Sequence, residues 1–272
     1  MGILGYEQSN LSGYLGRRSR PLQSLPSIFS GGYYADFRDR TRLKQDVAGT
    51  TGAPNVNDPV GLVQAVGPIS PWTWQQSVAG SRPLIYASGI SFNGTAHRLE
   101  GDTTNLGLFK NVAGGTIAIR GMLTALAATY GIFGWSEGVT SNQSRLQISI
   151  TSAGVISVAV RRIDGDTTQS FLSATGSIVV NTPFSIIATI DWATSGKFRG
   201  YLGLPIPLIS GTYTGTPANT SNTASLRSRI GSNIGNTNFS PLRAAFVAAI
   251  PRVLTALEIE DALINMNAIP VT

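Results

Sequence analysis

The sequence predicts an all-β protein, and three observations support this fold class. Short segments of alternating apolar and polar residues follow one another along most of the chain, and each is closed by Gly, Asn or Asp. Of the 272 residues, 31 are glycine and only 12% are charged, which is typical of a rigid β protein with many tight turns. The length suits one large domain with a substantial core. We therefore expect a single β-sandwich with an extended N-terminal arm and a short C-terminal helix.

The N-terminal residues 1–34 are predicted to be an attachment arm, and residues 35–272 the sandwich domain. Residues 1–32 lack helical or strand periodicity, yet they carry too many apolar side chains for a solvated tail. Two interpretations remain open: an extended arm that docks on a neighbouring subunit or another protein, or a strand and loops that pack on the chain's own domain. The residues expected to anchor the arm are Leu4, Tyr6, Tyr14, Leu15, Arg17, Arg18 and Arg20.

Positive charge is concentrated in residues 1–44, which hold seven of the 20 Lys and Arg residues in a chain of net charge +6. The short run Arg17-Arg18-Ser19-Arg20 suggests phosphate binding, because guanidinium groups bind phosphates and release counterions. One cluster without interleaved aromatic residues is weak evidence for a nucleic-acid site, however. A charged face toward solvent or an acidic partner is favoured, and nucleic acid is not an expected partner.

The first convincing strand lies within residues 81–101, because Pro83 can only begin or border a strand and Asn93-Gly94 is a strong turn signal. Residues 33–37 form a possible short strand before it. Alternating or buried apolar segments predict further strands at residues 116–123, 130–135, 145–150, 155–160, 183–192, 197–202, 226–230 and 244–250.

The last element is predicted to be a helix that ends before Pro270. Thr255 and Glu258 have the spacing of a capping box, and Leu254 and Ile259 that of a hydrophobic staple.

A family resemblance emerges from the order of several short motifs. These are AGTT at residues 48–51, DPVG at 58–61, RP at 82–83, FNG at 92–94 with Leu99, and LTALEI at 254–259. The succession resembles the laminin-G-like, concanavalin-A-like jelly-roll sandwich domains of tailed-bacteriophage structural and tail proteins, over about residues 35–267. The loop that usually lies between the second and third motifs is replaced here by GPISPWTWQQ.

The resemblance implies a non-enzymatic virion protein, assembled in the host cytoplasm. It would be a tail, baseplate or fibre component that binds a host-surface receptor or glycan through the sandwich and attaches to other virion proteins through the arm. It also implies a homo-oligomer, with a trimer favoured. Two alternatives remain open: a capsid-decoration or head-fibre protein, and a free carbohydrate-binding lectin.

Catalytic and metal chemistry find little support in the sequence. The chain has no cysteine and one histidine, His97, which disfavours disulfides, thiolate chemistry and most catalytic triads. A glycosidase needs two carboxylates facing one cleft, and the acidic residues Asp102, Glu137, Asp164, Asp166 and Asp191 are isolated. A calcium site needs six to eight oxygen ligands, so turns are the favoured role for these aspartates. We expect no cofactor and no metal.

Sugar binding requires an exposed aromatic face beside hydrogen-bonding groups, and the candidates are Trp72, Trp74 and Tyr130. The two tryptophans would share a face if the chain is locally extended, although core or subunit-interface positions are favoured for them. Trp135 and Trp192 are assigned to the core. No apolar run approaches the roughly 20 residues of a membrane span, and no signal peptide begins the chain. The expectation is a soluble protein made without secretion.

Overall fold

The computed structural model describes residues 21–67, 72–101, 107–109, 112–136, 144–162, 166–193, 196–215, 227–233 and 235–272. Within these ranges, two antiparallel sheets pack face to face and two helices lie outside them. The predicted fold class, an all-β jelly-roll sandwich with a short C-terminal helix, is confirmed. The predicted arm residues from Leu4 to Arg20 lie outside the described part of the chain.

The strands are numbered in chain order. They are β1 (Tyr33–Asp36), β2 (Leu43–Lys44), β3 (Leu62–Ala65), β4 (Trp72–Gln75), β5 (Leu84–Tyr86), β6 (Gly89–Ser91), β7 (Leu99–Gly101), β8 (Gly114–Leu123), β9 (Tyr130–Ser136), β10 (Ser144–Ile150), β11 (Ile156–Val160), β12 (Gln169–Leu172), β13 (Phe184–Asp191), β14 (Lys197–Leu202), β15 (Pro207–Thr212), β16 (Arg227–Ile230) and β17 (Leu242–Ile250).

Sheet A has the strand order β15-β14-β13-β8-β17-β6-β5, and β1 also pairs with β17. Sheet B has the order β12-β11-β10-β9-β16-β7-β4-β3-β2. Both sheets therefore end at the same side of the sandwich in an edge strand, β15 in sheet A and β12 in sheet B, and these two strands contact each other.

The main core lies between the sheets and contains all four tryptophans of the chain, each at most 1% exposed. Trp72 packs against Tyr33 at 4.3 Å and against Trp135 at 5.2 Å between ring centroids. The assignment of Trp135 and Trp192 to the core is confirmed. Aromatic rings of this size each bury a large apolar area, so this cluster contributes strongly to the attraction between the sheets.

A second apolar layer forms where α2 (Ala256–Asn267) covers the outer face of sheet A. The predicted capping box is confirmed, because Thr255 Oγ1 accepts from the Glu258 N–H and the Glu258 carboxylate accepts from the Thr255 N–H. Leu254 and Ile259, the predicted staple, are both buried in this layer. The helix begins where its capping signal predicts.

A strand side chain closes the other end of α2. Arg120, on β8, is buried and donates to the carbonyls of Asn267 and Ile269 and to Ser185 Oγ. Carbonyls at a helix C-terminus lack intrahelical donors, and a cation there is favourable. Burial lowers the pKa of the Arg120 guanidinium below its usual value.

The described part of the predicted arm packs on the domain. α1 (Leu25–Ile28) is a single turn against α2, and the Gln23 N–H donates to Asp261 Oδ2 at 3.1 Å while Asn265 Nδ2 donates to the Gln23 carbonyl at 2.8 Å. The predicted boundary after residue 34 falls inside β1, which pairs with β17. Residues 21–34 thus pack on the sandwich domain itself.

Neither helix in the described ranges has the length and apolar character needed to cross a membrane.

Candidate functional site

The two tryptophans predicted as a sugar platform lie inside the sandwich. Trp72 and Trp74 are both 0% exposed, so neither ring face is open to a ligand, and this prediction is corrected. Their alternation was interpreted rightly, since both rings share one face of β4. That face points toward sheet A. Within sheet B itself, the Trp74 indole N–H donates to Ser228 Oγ of β16 at 2.7 Å.

Tyr130 is buried as well, and its hydroxyl accepts from the Ala127 N–H. It belongs to the main core and offers no exposed platform. The same correction therefore applies to it.

The isolated aspartates that fall in the described ranges have local partners. Asp191 accepts from the Ala193 N–H at 2.9 Å, which is the predicted turn role, and Asp166 accepts from the Tyr213 hydroxyl. Asp102, Glu137 and Asp164 lie outside the described residues. Among the described residues, no three His, Asp or Glu side chains are grouped as a metal site.

A pocket of about 460 Å³ lies where α1 and the end of α2 meet β1. Its apolar lining includes Leu25, Val66, Phe246 and Ile269. Its polar lining comes from β1, from the turn that follows it, and from Asn265 on α2. The volume lies in the range of pockets that bind small molecules, about 300 to 1,000 Å³.

Two Asp–Arg pairs form the charged side of the pocket. The Arg38 guanidinium donates to both oxygens of Asp36, at 2.9 and 2.6 Å. Arg42 Nε lies 3.2 Å from Asp39 Oδ2. The two terminal nitrogens of Arg42 have no acceptor among the described residues, so they are available to a ligand. The pocket thus presents carboxylate oxygens and guanidinium N–H groups side by side.

The backbone fixes these carboxylates in place. Asp36 ends β1 and accepts from the Arg38 N–H, and Asp39 caps the next turn by accepting from the Thr41 N–H. The Thr41 hydroxyl donates to Asp39 at 2.5 Å and holds the pKa of that carboxyl below its usual value. The hydrogen bond to Asp36 raises the pKa of the Arg38 guanidinium. The Asp39 carboxyl and the Arg38 guanidinium are therefore ionised at neutral pH.

Tyr34 supplies the aromatic wall of the pocket. Its ring stacks near Phe246, with centroids 6.1 Å apart and planes inclined by 28°, and the ring is only partly buried. Its hydroxyl has no hydrogen-bond partner within the part of the chain that the structure describes. Burial raises the pKa of this hydroxyl above its usual value, so it is a neutral donor and acceptor.

Sequence reasoning missed this pocket, although part of its signal is local. The alternation of β1 places Tyr34 and Asp36 on the face opposite Tyr33 and Ala35, which are buried in the core. The acidic and basic residues that alternate from Asp36 to Arg42 contribute to the net charge, and their sequence pattern alone does not indicate a pocket. The rest of the lining comes from distant parts of the chain, so no contiguous motif marks it.

The comparisons identify a fold and no family. No known protein family matches the sequence, and no curated protein is similar to it in sequence. Two complexes of Trypanosoma rangeli sialidase are similar in structure. The complex with 2,3-difluorosialic acid matches 92% of this chain at a TM-score of 0.57 and 13% identity. The complex with 2,3-difluoro-KDN matches 82% of this chain at a TM-score of 0.53 and 12% identity. The CBM40 domain of a Ruminococcus gnavus sialidase matches 59% of this chain and 84% of its own, at 15% identity and a TM-score of 0.46.

This chain spans about a third of the length of the Trypanosoma rangeli sialidase, 35% and 34% in the two complexes. At such identities the likeness shows the sandwich fold alone. None of these three structures is a phage protein.

Proposed function

We propose that the chain is a non-enzymatic recognition domain that binds a carbohydrate in the pocket between α1 and β1. The observation that carries the proposal is the partly exposed Tyr34 ring, whose hydroxyl has no partner among the described residues, beside two fixed Asp–Arg pairs. A pyranose ring has an apolar face that packs on an aromatic ring and a rim of hydroxyls that need donors and acceptors. This pocket offers both.

The charged groups favour binding over cleavage. A glycosidase needs one carboxylic acid with a raised pKa to protonate the leaving oxygen. The pKa of Asp39 is lowered, and both oxygens of Asp36 are occupied by Arg38. These carboxylates serve as hydrogen-bond acceptors for sugar hydroxyls, while the free nitrogens of Arg42 donate.

The resemblance to the laminin-G-like domains of tailed phages supports a finer proposal. In it, the domain is a virion component of the tail, baseplate or fibre that recognises a host-surface glycan and is attached to neighbouring virion proteins by residues 1–20. Capsid decoration is the alternative location. The same resemblance supports assembly in the host cytoplasm.

The test is an array of immobilised neutral and acidic oligosaccharides probed with the labelled full-length protein. We expect saturable binding that Tyr34→Ala abolishes and Tyr34→Phe weakens only modestly, because the phenyl ring is kept and only the hydroxyl is lost. Arg42→Gln should weaken binding, since it removes the donors that have no partner among the described residues. Tyr86→Ala is the matched control, because Tyr86 is half-buried and its ring is covered by Arg243.

Each variant must first give a wild-type near-UV circular dichroism spectrum. A folded Tyr34→Ala variant that binds the array as strongly as wild type would exclude this pocket. Absence of binding to every glycan by the wild-type protein would exclude the carbohydrate proposal. Bound oligosaccharides recovered intact after long incubation support the non-enzymatic assignment, and shortened products would overturn it.

A further inference from the structure

The side of the sandwich formed by β12 and β15 is its open edge. β15 pairs only with β14, and β12 pairs only with β11, among the described strands. Phe171 of β12 closes the gap between the sheets, because its ring stacks on Phe198 at 4.4 Å and lies directly against Gly211 of β15. The backbone groups on the outer side of both strands therefore have no strand partner in the described part of the chain.

Aliphatic side chains are exposed along this edge and in the turns next to it. Leu208 on β15 is 46% exposed, Leu172 on β12 is 59% exposed, and Ile206, just before β15, is 68% exposed. Leu204 and Val179, in the adjoining turns, are exposed too. Single exposed leucines are ordinary, but several on two unpaired edge strands mark an interaction surface.

Neither edge strand carries the charges that normally protect such strands, and the nearest cations in sheet A are Lys197 and Arg199 of β14, which lie beside Thr212 and Ser210. No Asp, Glu, Lys or Arg occurs between residues 167 and 190 or between residues 200 and 226. Edge strands of monomeric proteins commonly carry charged side chains, lysine above all, that prevent pairing with another chain. Pro207, at the very start of β15, leaves the rest of that strand able to pair.

We propose that a second copy of this chain docks here, with β15 of each copy pairing antiparallel across a two-fold axis so that the two A sheets become continuous. The charge distribution favours a second copy as the occupant. Two molecules of net charge +6 repel each other over most of their surface, and pairing through β15 brings together strands that carry no charge themselves. An antiparallel strand pair is self-complementary about a two-fold axis, which one strand meeting its own copy satisfies.

This dimer leaves the proposed carbohydrate pocket open. β1, which carries Tyr34, is five strand positions from β15 in sheet A, or about 24 Å at about 4.8 Å per strand. The dimer would present two pockets on one rigid body. Two linked sites gain avidity for a repeating surface glycan without any new contact.

The first test is sedimentation velocity of the full-length protein over a wide concentration range. We expect a reversible species of twice the 28.6 kDa chain mass. Leu208→Lys introduces an unpaired charge at the axis and should raise the dimer dissociation constant about 30-fold or more. Val56→Lys is the matched control, because Val56 is similarly exposed in a distant turn and should leave the constant unchanged. Thr212→Lys, at another exposed position of β15, provides an independent second variant.

The second test uses the absence of cysteine in the chain. Single cysteines at Leu208, Ser210 or Thr212, all exposed on the same face of β15, should give a disulfide-linked dimer at the position nearest the axis. Val56→Cys should not. Three results would overturn the proposal: a monomer at all concentrations, an oligomer whose mass Leu208→Lys and Thr212→Lys leave unchanged, or a dimer without cross-linking at any of the three positions.

Discussion

Arg120→Met should loosen the C-terminal helix α2 and lower the stability of the whole domain. In the structure Arg120 Nε donates to the Ile269 carbonyl at 3.1 Å, Nη2 donates to the Asn267 carbonyl at 3.3 Å, and Nη1 donates to Ser185 Oγ at 3.4 Å. Methionine keeps much of the aliphatic packing and removes every donor. Two carbonyls near the helix end then lose their buried partner, so the end of α2 separates more readily from sheet A.

The size of the effect follows from these contacts. An unsatisfied buried carbonyl costs about 1 to 3 kcal/mol, and loss of a cation at a helix C-terminus costs about 0.3 to 2 kcal/mol. Part of this is regained because the buried guanidinium no longer has to be desolvated, a cost that also lowers the Arg120 pKa. All three hydrogen bonds are on the long side, so we expect a net loss of about 2 to 3 kcal/mol, or about 4 to 10 °C in Tm.

Thermal unfolding followed by tryptophan fluorescence measures the loss, because all four tryptophans are buried. Amide hydrogen exchange separates local from global opening, and α2 amides should exchange faster than those of β8. Arg199→Met is the matched control, because Arg199 lies on β14 of the same sheet and donates only to the neighbouring Phe198 carbonyl among the described residues. If the two variants differ by less than about 0.5 kcal/mol, Arg120 does not cap the helix in the way described.

Three further predictions follow from contacts described in the structure. Glu258→Gln should cost about 1 kcal/mol at neutral pH, and urea titrations should show the difference from wild type vanishing in strong acid. Arg252 donates to both oxygens of Glu258, at 2.8 and 2.7 Å, and holds the Glu258 pKa below its usual value. The contribution of the Glu258 carboxylate to stability is therefore lost as the pH falls through that lowered pKa, and a pH-independent difference would contradict this. Gly32→Ala should cost about 2 to 3 kcal/mol in thermal unfolding, since the new Cβ would lie 2.2 Å from a β17 carbonyl oxygen. Gly80→Ala should be neutral because Gly80 has open space around it. Equal effects of the two substitutions would argue against the close approach of Gly32 to β17. Trp74→Phe should cost about 2 to 3 kcal/mol because it leaves the buried Ser228 hydroxyl without its indole donor. We expect a second substitution, Ser228→Ala, to restore part of that stability. If the two substitutions show no such coupling, the role of this hydrogen bond is refuted.

The long strands and the C-terminal helix could be predicted from the sequence because their signals are local. β8, β13 and β17 are runs of apolar residues bounded by turn residues, and the capping box of α2 fixes its first residue. The short helix α1 and the edge strands β12 and β15 have no comparable local pattern of apolar residues in the sequence. α1 is four residues long with a proline inside, and β12 and β15 are edge strands with few buried residues.

The candidate site was predicted wrongly for a physical reason. A period of two shows that Trp72 and Trp74 share a face, but only the presence of sheet A decides that this face is the buried one. The pocket joins β1 to residues about 200 positions away on β17 and α2. Such a site exists only once the chain is folded, and a single sequence does not reveal it.

The position of β17 bears on how this protein is made by a ribosome. β17 is the last strand of the chain, yet it lies inside sheet A, with β8 on one side and β6 and β1 on the other. Until residue 250 has left the exit tunnel, β1 has no partner in sheet A and the strands on either side of β17 cannot join. Pairings this distant in sequence are slow to form, and the nascent apolar strands wait unpaired meanwhile. β8 therefore stays without its neighbour on that side of sheet A until β17 has been synthesised.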